Sequence, residues 1–187
     1  MNLWLRLLTV LIAACFARRQ GLLCTSMLRF RVWPHDLDLN MHMNNARYLS
    51  LMDLGRVDLI CRSDLLRVIA AKRWQAVIGG AMVRFRWPLT LFQSFTLSSR
   101  ILGWDERWFY IEHRIETVAA AACLTVVRAA FLDRGSIVPP PTALAELGFD
   151  GSPPALPEWA TQWNSVENVA FAQNTPSTSK EVLTCER

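Results

Sequence analysis

The feature that most constrains this chain is a run of four long β-patterned stretches, residues 74–88, 91–103, 107–117 and 119–132. They are rich in β-branched and aromatic residues and are separated by turn signals such as "WPLT" and "GWDE". Each is about twice the usual strand length of about five to six residues. Strands that long twist, so a sheet built from them must curl around something. The element to curl around lies just upstream. From Asn44 onward, Tyr48, Leu51, Met52, Leu54, Val57, Leu59 and Ile60 predict a helix of about 17 residues, apolar over most of its circumference and wrapped by other structure. Before it, "MLRFRVW" (27–33) alternates at period two and reads as a strand stopped by Pro34. Strand, helix, then antiparallel meander predicts an α+β fold, with a curved antiparallel sheet wrapped on a long central helix.

A chain of 187 residues has room for one such domain plus appendages. The boundaries expected are an apolar helical segment over 1–26, the domain over 27–135, a short helix capped at Thr142 with a proline-rich connector over 136–163, and a weakly ordered tail over 164–187. The first seventeen residues, "MNLWLRLLTVLIAACFA", are too short to span a bilayer with confidence, and the basic pair Arg18–Arg19 follows the apolar run where a secretory signal would have it precede. Three readings stand: a helix docked on the domain, a membrane-associating helix in which Arg6 snorkels, and a cleaved signal. We expect a cytoplasmic protein, soluble or peripherally attached to a membrane through residues 1–19. Five cysteines, an odd number without a C-x-x-C pair, argue for free thiols in a reducing compartment. The charge of +4 suits phosphate-bearing ligands or an anionic surface but falls short of a nucleic-acid footprint. With only 19% charged residues, less than the average of about 25%, the surface is expected to be partly covered by a partner.

Chemistry concentrates in "HDLDLNMHMNNARY", residues 35–48. Metal binding by His35, Asp36, Asp38 and His42 fits no standard ligand spacing, and there is no nucleophilic-serine elbow or phosphate-cradling glycine loop. Asn44 and Asn45 precede the apolar run as natural helix caps, and a helix start leaves backbone N–H groups free to face an anion or a developing oxyanion. By itself Asp38 reads as a turn or capping aspartate, His42 as an interior histidine and Tyr48 as core.

The ungapped pattern D-x-D-x-x-x-H-x-N-N-x-x-Y, filled by Asp36, Asp38, His42, Asn44, Asn45 and Tyr48, resembles the hot-dog-fold acyl-CoA thioesterases of the 4-hydroxybenzoyl-CoA thioesterase type. The resemblance covers roughly residues 27–135, and the blocks "MHMNNARYL" and "ILGWDERWFYIE" look closest to a membrane-associated subgroup of that family. It implies that Asp38 is the catalytic carboxylate, acting as base or nucleophile, with His42 in the catalytic set to orient the turn, hydrogen-bond Asp38 or contact substrate, and backbone N–H groups around Asn45 polarising the thioester carbonyl. The substrate implied is an acyl-CoA, and no metal or redox cofactor is needed. Asn44, Tyr48, Arg84 and Arg86 are candidate substrate contacts, the arginines for coenzyme A phosphates. Leu51, Met52 and Val83 are candidate acyl-chain lining. The resemblance further implies a homodimer or homotetramer built edge to edge. Two other readings remain, a non-catalytic acyl- or lipid-binding module and a related enzyme acting on acyl carrier protein or performing dehydration. One departure stands out: related motifs often carry glycine just before the histidine, where this chain has Met41.

Overall fold

The structure, a computed structural model, describes residues 3–152, 154–163 and 165–166. The chain divides into two compact units, Met1–Pro154 and Ala155–Arg187. In the second, residues 158–163 are helical, and the tail expected over 164–187 lies outside the described residues except for 165 and 166.

The first unit runs α1 (Leu3–Phe16), β1 (Ser26–Arg31), a single 3-10 turn (Pro34–Asp36), α2 (Asn45–Arg62), α3 (Leu65–Lys72), β2 (Gln75–Phe85), β3 (Ser94–Trp104), β4 (Phe109–Glu116), β5 (Ala121–Asp133), β6 (Ser136–Val138) and α4 (Pro140–Leu147). The sheet is antiparallel in the order β1-β3-β4-β5-β2, with β6 added to β5. It is therefore not the simple meander expected from sequence. Only β3, β4 and β5 follow one another, and β2 pairs with β5 at the far edge. Residues 86–93 must then cross three strand spacings, about 14 Å, which eight extended residues span easily at about 26 Å. A tight β2–β3 hairpin is disfavoured here because Pro88 has no N–H for a ladder, and the buried Leu89 anchors the crossing instead.

α2 starts where Asn44 Oδ1 accepts the Ala46 N–H at 2.8 Å, and it ends where the Ser63 N–H and hydroxyl both donate to Leu59 O. It lies on the concave face of the sheet, but it is one-sided and not apolar all round. Tyr48, Leu51, Met52, Leu54, Gly55, Asp58 and Leu59 form the buried stripe, whereas Leu49 and Asp53 are exposed. α1 packs on α2. The last helix begins at Pro140, two residues before the expected Thr142 cap. Proline at the first turn sacrifices an N–H that would have no partner anyway, and Gly148 at φ 71° closes the other end. α3 and β6 had no clear sequence signal.

The apolar core is split. One cluster contains Tyr48, Leu51 and Met52 of α2 with Phe95, Leu97, Ile115 and Cys123. The other contains Leu59 with Ile101, Phe109, Ile111, Val127 and Phe131. On each element the residues between the clusters are polar or small: Gly55 to Asp58 on α2 with Val57 only half-buried, Ser99 on β3, His113 on β4 and Thr125 on β5.

Candidate active site

β1 hands the chain to α2 through residues 32–44, and backbone chemistry fixes their path. Val32 exchanges hydrogen bonds with Gln93 and Phe92 of the β2–β3 crossing, at 3.0 and 2.9 Å. Pro34 presets φ for the 3-10 turn. A miniature hairpin follows, in which Leu37 pairs with Met43, the Asp38 N–H donates to His42 O at 2.9 Å and the Met41 N–H donates to Asp38 O at 3.0 Å. This is a three-residue loop whose last residue must be left-handed, the place where glycine is usually found. Met41 takes it, at φ 59°. The backbone conformation that the missing glycine put in question is adopted by methionine. The hairpin then docks on the crossing, with the Met43 N–H donating to Leu89 O at 2.8 Å and His42 bridging Thr90.

The two aspartates two residues apart have opposite fates. Asp36 is wholly buried and heavily bonded. Its carboxylate accepts Arg6 Nη2 at 2.6 Å, Arg6 Nη1 at 3.3 Å and the Trp33 N–H at 2.9 Å, lies 3.2 Å from Arg47 Nε, and its carbonyl accepts the Asn44 N–H at 2.8 Å. Arg6 is therefore 1% exposed and locked inward, so the snorkelling geometry considered for it is not adopted. Asp38 is half-buried, forms no ion pair among the described residues, and uses one oxygen to accept the Asn40 N–H at 2.8 Å. Its other oxygen is available to a substrate or a water.

Asp38 stands on the wall of a hollow of about 300 Å3 that also meets His42, Asn45, Tyr48 and Arg86. Five of the seven candidate residues are thus gathered together: Asp38, His42, Asn45, Tyr48 and Arg86. Asn45 is the first residue of α2; the Ala46 N–H donates to Asn44 Oδ1 and the Arg47 N–H to Asn44 O, both at 2.8 Å, so in this first turn the Asn45 N–H is the donor with no acceptor among the described residues. His42 reaches Asp38 through the backbone. Tyr48 forms the inner end, 2% exposed, edge-on to Phe85 with ring centroids 5.3 Å apart. Burial pushes its hydroxyl up to about 12, against a hydrogen bond from the Leu89 backbone, so it stays a neutral donor. The remaining two candidates are not on the wall of this hollow, although Asn44 shares a neighbouring one of about 670 Å3 with Asp38. Asn44 spends its side-chain oxygen on the helix cap. Arg84 alternates with the inward Phe85 and so leaves the sheet on the face away from α2.

Leu51 and Met52 are closed into the core, so they do not line a chain-sized space. An apolar cavity of about 210 Å3 lies instead beside the second half of α2, among Val57, Ile60, Leu65, Ile78, Ile111 and Phe131, with Asp53 and Arg56 also on its wall. Sequence reading missed it because its wall draws on six elements. It also missed the polar layer between the core clusters. Ser99 Oγ lies 2.8 Å from His113 Nδ1, and Arg56 Nη1 lies 3.2 Å from His113 Nε2. A guanidinium can only donate, so Nε2 accepts, the proton sits on Nδ1, and Ser99 receives it. Burial first, then the Arg56 charge, pushes His113 down to about 3, and burial pulls Arg56 down to about 10. The only hint was an ionisable residue in the middle of the strand pattern "FYIEHRIE".

A curved antiparallel sheet around one long helix, with an open carboxylate at the helix start, defines the hot-dog α+β class. The chain belongs to the Thioesterase-like superfamily, whose family model matches residues 32–163. Protein THEM6 of Danio rerio is 38% identical over 112 residues, 59% of this chain and 55% of that protein. The chain spans about half the length of the curated relatives it matches. Among solved structures, the YbaW probable thioesterase from Escherichia coli superposes with TM-score 0.62 at 20% identity, covering 66% of this chain and 96% of that one. A thioesterase from Thermus thermophilus, complexed with coenzyme A and Zn, superposes with TM-score 0.57 at 25% identity, covering 68% and 95%.

Proposed function

We propose that the protein hydrolyses acyl-CoA thioesters, with Asp38 as the acting carboxylate. The observation that carries this reading is the meeting, in one hollow, of a carboxylate with no ion pair among the described residues and the N-terminus of α2. Acting as base, Asp38 removes a proton from water as its oxygen adds to the thioester carbonyl. The Asn45 N–H holds the oxyanion, the C–S bond then breaks, and the proton held by Asp38 passes to the departing sulfur so that coenzyme A leaves as the thiol. Acting as nucleophile, the same carboxylate adds to the carbonyl and expels the coenzyme A thiolate, forming a mixed anhydride that water cleaves to the free acid and the regenerated carboxylate. His42 and Tyr48 border the carbonyl site, and Arg86 supplies positive charge where coenzyme A enters. Free-thiol release should be measured across a panel of acyl-CoA chain lengths. The expected result is turnover in the wild type and a fall of at least about 100-fold in Asp38→Asn, the scale of losing a general base. Equal turnover in the two would remove Asp38 from the mechanism, and acyl-CoA binding without thiol release would favour a binding module.

The same reading places a second copy of the chain on β2. That edge carries eleven residues of which none is buried, with Ile78 44%, Met82 45% and Phe85 43% exposed, an unpaired apolar edge of the kind that seeks another strand. Light scattering at micromolar concentration is expected to give a dimer or tetramer; a monomer would contradict it. For α1 we propose peripheral contact with a membrane surface. Trp4, Leu8, Ile12 and Phe16 turn outward at 75%, 53%, 50% and 88% exposure, next to Arg18 and Arg19. No helix among the described residues is long and apolar enough to cross a membrane. Release of the full chain from membranes by carbonate supports peripheral contact, and release only by detergent refutes it.

A further inference from the structure

Arg6 is the one charged side chain of α1, and it is spent on the loop that carries Asp38. It donates to both oxygens of Asp36, at 2.6 and 3.3 Å, and to Arg31 O, the last carbonyl of β1, at 3.1 Å. Asp36 in turn ties both ends of the loop, receiving the Trp33 N–H on its carboxylate and the Asn44 N–H on its carbonyl. Arg47, in the first turn of α2, holds the carboxylate from the other side. The aspartate is thus clamped between two helices, and the hairpin bearing Asp38 hangs from it.

This clamp is a poor device for stability alone. Burying a guanidinium and a carboxylate costs several kcal/mol of desolvation, which their attraction roughly repays, and an apolar pair of the same volume often does as well or better. α1 is otherwise almost wholly apolar, so one more apolar side chain was the easy choice. What an Arg–carboxylate pair supplies, and leucine does not, is direction: two donors of a planar fork fix the position and rotation of Asp36.

We infer that Arg6 is a positioning residue for the reaction at Asp38, which makes α1 part of the working site. The inference rests on the reading of Asp38 as the acting carboxylate. Misplacing a reacting group by about 1 Å costs about 100-fold in rate. Arg6→Met keeps the length and loses the fork. It is expected to lower kcat by about 10- to 100-fold with KM within about twofold, and Arg6→Lys, which restores one charge, should recover part of that loss. Leu8→Gln, on the outward face of the same helix, should leave kcat unchanged in a lipid-free assay.

Amide hydrogen exchange on the same full-length proteins gives a readout independent of activity. In Arg6→Met the Asp38 and Met41 amides should lose protection, while Ile111 and Val127 at the centre of the sheet keep theirs. Unchanged kcat with unchanged loop protection would overturn the inference. So would loss of protection throughout the sheet, because the defect would then be general unfolding. If the wild type releases no thiol from any acyl-CoA, the functional reading fails. Loop exchange still decides the remaining claim: loss in Arg6→Met keeps Arg6 as the anchor of the loop, and retention refutes it.

Discussion

The two ends of α2 treat charge in opposite ways. At its start, Asp38 stands at a hollow, without an ion pair among the described residues, on a hairpin whose tip holds Met41 in a left-handed conformation. In its second half, Arg56, Asp58 and the facing Ser99 and His113 form a closed layer in which each polar group has a partner. Asp58 takes the Ser26 hydroxyl at 2.5 Å and Arg62 Nε at 3.0 Å, and a Cβ at Gly55 would sit 2.3 Å from Ser99 Oγ, so a larger residue there would push Ser99 off its place beside His113. Under the function proposed above, the difference separates where this fold keeps stability from where it keeps reactivity. Satisfied polar groups in the interior fix one arrangement, whereas an open carboxylate with strained backbone beside it is ready for a ligand.

Acid gives the largest break in that comparison. His113 is held down to about 3 in the folded protein, whereas an unfolded histidine titrates near about 6.5. Between those values the unfolded chain binds a proton that the folded one refuses. The stability present above about pH 6.5 therefore drains as pH falls, by about 2 kcal/mol at pH 5 and by about 4 kcal/mol at pH 3. Glu112 adds to the loss in the same direction. Burial raises its pKa, but hydrogen bonds from Arg114 and Arg100 outweigh this and hold the carboxyl below its ordinary value. Urea midpoints at pH 7.5 and pH 5 should show the drop, and His113→Gln should flatten it. An unchanged slope in that variant would mean that the rear layer is not the acid-sensitive element.

The two neighbouring aspartates test the same contrast inside one loop. Asp36→Ala strands a buried Arg6 and should cost about 3–5 kcal/mol. Asp38→Asn keeps the oxygen that accepts the Asn40 N–H and loses only an open charge, so it should stay within about 0.5 kcal/mol of the wild type. Denaturant unfolding of both variants measures this directly. Equal destabilisation would show that Asp38 is as structural as Asp36.

That contrast also explains what the sequence could say. Asp38, His42, Asn45 and Tyr48 were legible because a single hairpin and one helical turn hold them, so spacing along the chain nearly equals spacing in space. The α+β class was legible from the long strand patterns for the same local reason. Arg6 and Asp36 are thirty residues apart, and nothing local tells an arginine in a leucine-rich helix that its partner lies on a loop. The layer of Arg56, Ser99 and His113 draws one residue from each of three elements, each looking like an ordinary polar member of its own pattern. The place of β2 was hidden because periodicity gives a strand its two faces but not its neighbour.

Met41 gives the smallest effect and the sharpest test of strain at the front end. A residue with a side chain pays about 1–2 kcal/mol for a left-handed backbone, while glycine has no such strain there but loses about 0.5–1 kcal/mol through the greater freedom of the unfolded chain. Met41→Gly should therefore stabilise the protein by about 0.5–1 kcal/mol, a rise in Tm of about 1–4 °C for a chain of this size. Met41→Ala keeps the strain, since φ remains near 59°, and should show no such gain. The side chain is 62% exposed, so little packing is lost in either variant. Thermal unfolding of the pair separates backbone relief from side-chain loss: equal Tm values would mean that the hairpin tip stores no strain, and the contrast between the ends of α2 would then rest on charge alone.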